Sequence, residues 1–195
     1  MSIKYNETQK RILTAAWSLL ETSPHKGVRM SDIAKEAGVS RQAVYLHFPK
    51  RAELLKATTR FVDQQKDIEQ RLAPSRSAQN GEARMEAFIE AWGNYIPEIY
   101  GVIHAMLSMV DTDEEAREAW ADRMEALREG CGAVVAQLEA EGRLNSAFPP
   151  EKACDFFLSL ISVHSWEYLV KQCSWPQEMY IKHITCTVRS ALILD

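Results

Sequence analysis

The chain has 195 residues, 46% of them hydrophobic and 26% charged, proportions of a globular protein rather than a disordered or fibrous one. Its length lets it bury a full core without a staple, and its four cysteines (Cys131, Cys154, Cys173, Cys186) form no CxxC pair, so no metal site, cofactor or disulfide framework is expected. The formal charge of −4 excludes nothing by itself, but no signal-peptide run opens the chain and no apolar stretch approaches the roughly 20 residues of a membrane span, so a cytoplasmic chain without a membrane partner is expected.

In chain order, residues 6–22 place Ile12, Leu13, Ala16, Leu19 and Leu20 on one helical face. Ser23-Pro24-His25-Lys26-Gly27 then breaks the pattern. A short helix with Ile33, Ala34 and Ala37 stops at Gly38, and Ser40 caps a second short helix that Pro49 ends. Residues 50–72 read as one long helix halted before Pro74, followed by a polar loop. Helices over 82–95 and 97–110 are expected on either side of Pro97, since proline prefers the first turn of a new helix. Thr112-Asp113-Glu114-Glu115 opens a long acidic helix that Gly142 closes. The last two helices, 150–174 and 177–194, are separated by Trp175-Pro176. About nine helices and no alternating strand pattern make the fold all-α.

The segment from Arg29 to Phe48 carries the function. Two short helices joined by Ala37-Gly38-Val39-Ser40 form a helix-turn-helix. Ile33, Ala34, Ala37, Val39 and Val44 would form its small core. The second helix would project Arg41, Gln42, Ala43, Tyr45 and His47 outward, with Arg41 and Gln42 suited to base edges and Tyr45 and His47 to phosphates. Charge agrees: residues 1–60 hold eleven Lys and Arg against five acids, a net +6, which leaves the remainder at −10. A basic head on an acidic body suits a polyanionic partner for the head alone. The plain alternative, an αα-hairpin inside a bundle, accounts for neither the turn chemistry nor the charge.

These residues resemble the TetR family of bacterial transcriptional regulators over residues 8–60. The resemblance rests on Ile33-Ala34, Ala37-Gly38-Val39-Ser40, Tyr45, His47-Phe48 and Leu54-Leu55. It implies a helix-turn-helix DNA-binding domain over 1–50 and a helical effector-binding and dimerisation domain over 51–195. It also implies that Arg41, Gln42 and Ala43 face bases while Tyr45 and His47 hold backbone. Two positions depart from the family pattern. Arg29 stands where a Ser or Thr usually caps the first helix of the motif, which shifts the expected cap to Ser31. Lys50-Arg51 stands where a small capping residue and then Lys are usual, and both are expected on phosphates. Arg29, Ser31, Ser40, Lys50 and Arg51 therefore join the expected DNA-binding set.

The body is rich in aromatic and thioether side chains. Each is accounted for singly as core, but as a set they suit the lining of a cavity for a small, largely apolar effector. The candidates are Trp92, Tyr95, Tyr100, His104, Met106, Trp120, Met124, Phe157 and His164. The helix over 153–170 is apolar nearly all round, with Phe156, Phe157, Leu160, Ile161, His164 and Tyr168 on one side and Leu158, Val163, Trp166, Leu169 and Val170 on the other. One side would meet the core and the other a second copy of the chain, so a homodimer through residues 150–194 is expected, presenting two recognition helices to a palindromic duplex operator. The expected function is a repressor released by its effector. A ligand-independent architectural DNA binder is the alternative, disfavoured by a large acidic body. An enzyme is not expected. Asp155, Cys154, Ser162 and His164 share one apolar helix without a nucleophile elbow, and no phosphate-binding loop or metal motif occurs.

Overall fold

Apolar residues recurring at three- and four-residue spacing fold nearly the whole chain into helices, and the computed structural model describes residues 3–22 and 28–194. The expected break at 23–27 lies outside the described residues. The helices are α1 (Glu7–Thr22), α2 (Met30–Glu36), α3 (Arg41–His47), α4 (Arg51–Gln65), α5 (Ile68–Arg71), α6 (Ala73–Arg76), α7 (Gly81–Val110), α8 (Glu114–Ala140), α9 (Pro150–Leu160), α10 (Val163–Trp166) with a π-helical stretch at Glu167–Gln172, and α11 (Gln177–Leu192). The fold is all-α, with no strand among the described residues and one isolated bridge, Leu144 to Ile193.

The chain forms two compact units. The first takes the described residues up to Asp67 together with Ile99–Met124; the second takes Ile68–Glu98 with the described residues from Glu125 onward. The division thus falls inside α7 and inside α8. In the first unit α1 packs on α2 and α4, and α2 on α3, around the fully buried Ile12, Leu13, Ile33, Val44, Leu54 and Leu55. In the second unit α11 packs on α9 and on the π-helical stretch, around Met85, Tyr95, Phe157, Trp166 and Tyr180.

Three boundaries differ from expectation. The long helix expected over 50–72 ends at Gln65, because Asp67 adopts a left-handed φ of 54° that no α-helix continues through. Pro74 does not follow a helix but sits in the first turn of α6, where its missing N–H is harmless.

Pro97 does not divide two helices; α7 runs through it without interruption. A mid-helix proline removes the hydrogen bond to the carbonyl four residues earlier, here that of Gly93. The Gln177 side chain replaces it: Nε2 donates to Gly93 O at 2.7 Å, while Oε1 accepts from Trp166 Nε1 at 2.8 Å. Gly93 also lets α11 approach, since a Cβ there would lie 2.7 Å from Ile181 Cγ1.

The apolar helix expected over 150–174 is broken. α9 stops at Leu160, Ser162 caps α10 by accepting the Ser165 N–H at 3.2 Å, and Glu167–Gln172 is wound as π-helix. Each irregularity shifts the helical phase, so the two expected faces do not hold. Phe157, Ile161, Val163 and Trp166 are all buried, whereas His164 and Tyr168 point to solvent. Trp166, expected on the outward side, is core.

Candidate nucleic-acid interface

The turn between α2 and α3 is built by its own sequence. Gly38 takes a left-handed φ of 64°; its N–H donates to Lys35 O, and that of Val39 reaches back to Ala34 O. This double bond pattern closes α2 and needs glycine at the left-handed position. Arg11 on α1 then locks the turn from outside, donating through Nη2 to Ala37 O at 2.7 Å and to Gly38 O at 3.1 Å. Ser40 caps α3 as expected, its hydroxyl accepting the Ala43 N–H at 3.1 Å. Ile33, Ala34, Ala37 and Val44 are buried beneath; Val39 is only half-buried.

This frame holds α3 with its far side to solvent. Arg41, Gln42 and Tyr45 are exposed, and Ala43 and His47 half-buried. The Arg41 guanidinium lies over the Tyr45 ring, 5.5 Å from its centroid, and Nη2 sits 3.4 Å from the hydroxyl. A flexible arginine is thereby pre-oriented along the helix at little further entropic cost. Beside α3 lies a cleft of about 570 Å³, whose charged lining is Arg29, Arg41, Lys50 and Arg51 against the two carboxylates Asp113 and Glu115. Arg29 and Lys50 are exposed at the N-cap positions of α2 and α4, so two cations stand beside helix N-termini, where anions are favoured.

The family described as bacterial regulatory proteins, tetR family, matches residues 12–58, from α1 into α4. The head is that of the TetR family. A nucleoid occlusion factor, SlmA of a Marinomonas species, is 36% identical over 64 residues, which are 33% of this chain and 32% of that protein; the chain spans about a third of the length of this curated relative. The whole fold is similar to a TetR-family transcriptional regulator from a Rhodococcus species, with a TM-score of 0.75 at 20% identity over 95% of this chain and 98% of that one. It is also similar to a transcriptional regulator from Saccharomonospora viridis solved in complex with choline, with a TM-score of 0.74 at 16% identity over 97% and 99%. These two likenesses establish the fold alone.

Two expected contacts of the TetR-family head are corrected. Ser31 does not cap α2. Arg29 holds the N-cap position, and the Ser31 hydroxyl lies 3.4 Å from Asp32 Oδ1. Arg51 does not face outward with Lys50. Its side chain is 14% exposed, Nε donates to Val28 O, and Nη1 meets Asp113 Oδ2 at 2.6 Å. Asp113 serves two elements, because Oδ1 also caps α8 by accepting the Ala116 N–H at 3.1 Å. Burial works to raise the Asp113 carboxyl, but the Ala116 N–H and the Arg51 guanidinium outweigh it and hold the group below the ordinary carboxylate value.

Arg51 opens a ladder of ion pairs between α4 and α8. Lys56 meets Glu118 at 2.6 Å, Arg60 meets Asp122 at 2.7 Å, and the last rung reverses sign with Asp63 and Arg123 at 2.5 Å. The Lys56–Glu118 and Arg60–Asp122 rungs are open to solvent, which screens them, whereas Arg51–Asp113 and Asp63–Arg123 are largely shielded. Their larger effect is on charge: part of the head's +6 is neutralised by α8, and the positive field of Arg29, Arg41 and Lys50 stands beside the recognition helix.

The nine expected effector residues divide between the two units. In the second unit Trp92, Tyr95 and Phe157 are buried. Trp92 lies 6.1 Å from Tyr95 and donates its indole N–H to Ile161 O, and Phe157 stacks edge-on to Phe88 at 6.0 Å. His164 is exposed and lines no part of that core, because the break at Ser162 turns it outward. In the first unit Tyr100 and His104 lie 5.7 Å apart, Met106 is buried, and Trp120 and Met124 are half-buried. Sequence reasoning missed Tyr180. Its ring is buried, its hydroxyl finds no hydrogen-bond partner among the described residues, and burial pushes its ionisation upward.

Proposed function

We propose that the protein is a dimeric, sequence-specific DNA-binding transcriptional regulator that acts in the cytoplasm and reads a palindromic duplex operator. The observation that carries this reading is α3: capped by Ser40, fixed by a turn that Arg11 locks, and presenting Arg41, Gln42 and Tyr45 beside a basic cleft. Arg41 and Gln42 supply donors and acceptors matched to guanine and adenine edges in the major groove, and Lys50 and Arg29 supply phosphate contacts that set register. Three of the four groups nearest to a catalytic set already have a structural task, and the fourth, His164, is turned to solvent, which supports regulation over catalysis. Asp155 pairs with Arg128 and Lys152, Ser162 caps α10, and the Cys154 thiol lies 3.6 Å from Arg128 O.

Dimerisation through residues 150–194 is supported by the exposed apolar side chains Tyr168, in the π-helical stretch, and Met179, in α11. An effector that lowers operator affinity is supported by the adjacent buried Trp92 and Tyr95 rings and by the Tyr180 hydroxyl, which a polar group on an otherwise apolar molecule would satisfy. The likeness to the regulator solved with choline supports a body of this fold that accepts a small organic molecule.

Genomic fragments retained by the purified protein test the reading. Repeated recovery of fragments sharing an inverted repeat is expected, with half-site centres about 34–36 Å apart or at a multiple of that spacing. Recovery of fragments with no common sequence would contradict it.

A further inference from the structure

We propose that Leu46 is a specificity-determining contact, packing on the C5 methyl of one thymine per half-site in the major groove. The proposal rests on the reading of α3 as the helix that enters duplex DNA.

Leu46 is 79% exposed, more than any other large hydrophobic side chain among the described residues. A single exposed leucine on an ordinary surface needs no explanation, but its position on α3 does. An α-helix turns about 100° per residue, and Val44, wholly buried, marks the direction of the core. Gln42 and Leu46, two residues to either side of Val44, therefore point about 160° away from the core. Arg41 and His47 lie only about 60° from it. Leu46 and Gln42 thus form the crest of the helix, the part that goes deepest when a groove admits it.

Leucine at that crest has one kind of contact available. It offers no hydrogen bond to phosphate or to a base edge. Of the four bases, only thymine presents a methyl group in the major groove, and an apolar side chain there removes both apolar surfaces from water. Its neighbour Gln42 suits the adenine N6 and N7 pair, so the crest reads A·T steps while Arg41 reads from the flank. Another protein as the partner of Leu46 is disfavoured by the net positive charge of residues 1–60, which favours a polyanion.

The test uses the duplex that the wild-type protein selects from a random pool. Each thymine is replaced singly by deoxyuridine, which removes only the methyl. One position per half-site should weaken wild-type binding about fourfold, the factor that about 0.8 kcal/mol of buried methyl corresponds to at 1.4 kcal/mol per tenfold. Leu46→Ala, with an unchanged melting temperature because the side chain touches no core, should bind thymine and deoxyuridine duplexes equally. Arg41→Ala should retain the discrimination. A Leu46→Ala protein that still discriminates, or a wild-type protein indifferent to every replacement, overturns the assignment while leaving DNA reading intact. Failure of the wild type to select any sequence overturns the underlying reading, and the assignment with it.

Discussion

Lys50 and Arg51 are adjacent and both cationic, yet the first is exposed and the second is turned onto Val28 O and Asp113. Their substitutions should separate accordingly. Lys50→Ala should weaken binding to all duplexes alike and reduce the salt slope by about one unit, as loss of a phosphate contact does. Arg51→Ala should instead lower unfolding stability by about 1–3 kcal/mol in urea titration, because it strands a carboxylate and a carbonyl. Arg51→Ala stability equal to wild type would show that the pair contributes nothing. The pH dependence follows from Asp113. Its carboxyl is held low in the folded chain, so its stabilisation is complete above the unfolded value near pH 4 and is lost as pH falls through the folded value. Stability should therefore fall more steeply below about pH 4 in the wild type than in Asp113→Asn.

Elements with purely local signals were legible in the sequence, and those held by distant partners were not. Gly38 and Ser40 set the turn and the α3 cap within a few residues, so the helix-turn-helix could be read directly; of its outward face Arg41, Gln42 and Tyr45 were read, while Ala43 and His47 are half-buried and the exposed Leu46 was missed. Pro97 was misread because its compensation comes from Gln177, 84 residues beyond Gly93; Arg51 was misread because Asp113 lies 62 residues away. The outward side chains of 153–170 were misassigned because one cap at Ser162 and one π-helical stretch shift the phase that a periodicity argument assumes constant. The Gln177 account predicts coupling. Gln177→Ala should cost about 1–3 kcal/mol in the wild type by stranding Gly93 O and Trp166 Nε1. It should cost less in a Pro97→Ala background, where residue 97 regains an N–H for that carbonyl. Equal costs in the two backgrounds, read from a double-mutant cycle, would sink the idea.

At the scale of the whole molecule, two recognition helices must be held at a fixed separation for a palindrome to be read. Light scattering should give about twice the 22.2 kDa chain mass, and Tyr168→Glu, altering an exposed side chain, should dissociate the dimer without unfolding it. Trp166→Glu should unfold the second unit instead, since Trp166 is core and bonded to Gln177. A small molecule that lowers operator affinity must bind operator-bound protein more weakly by the same factor, about 5- to 150-fold for a coupling of about 1–3 kcal/mol. All of this depends on α3 reading sequence, and one measurement addresses that most directly: fluorescence anisotropy of a selected operator duplex against a scrambled duplex of equal length and salt. The account predicts that wild type prefers the operator by at least about 10³-fold, that Arg41→Ala loses about 1–3 kcal/mol on the operator alone, and that Lys50→Ala loses equally on both. Equal affinity of the wild type for operator and scrambled duplexes would contradict it.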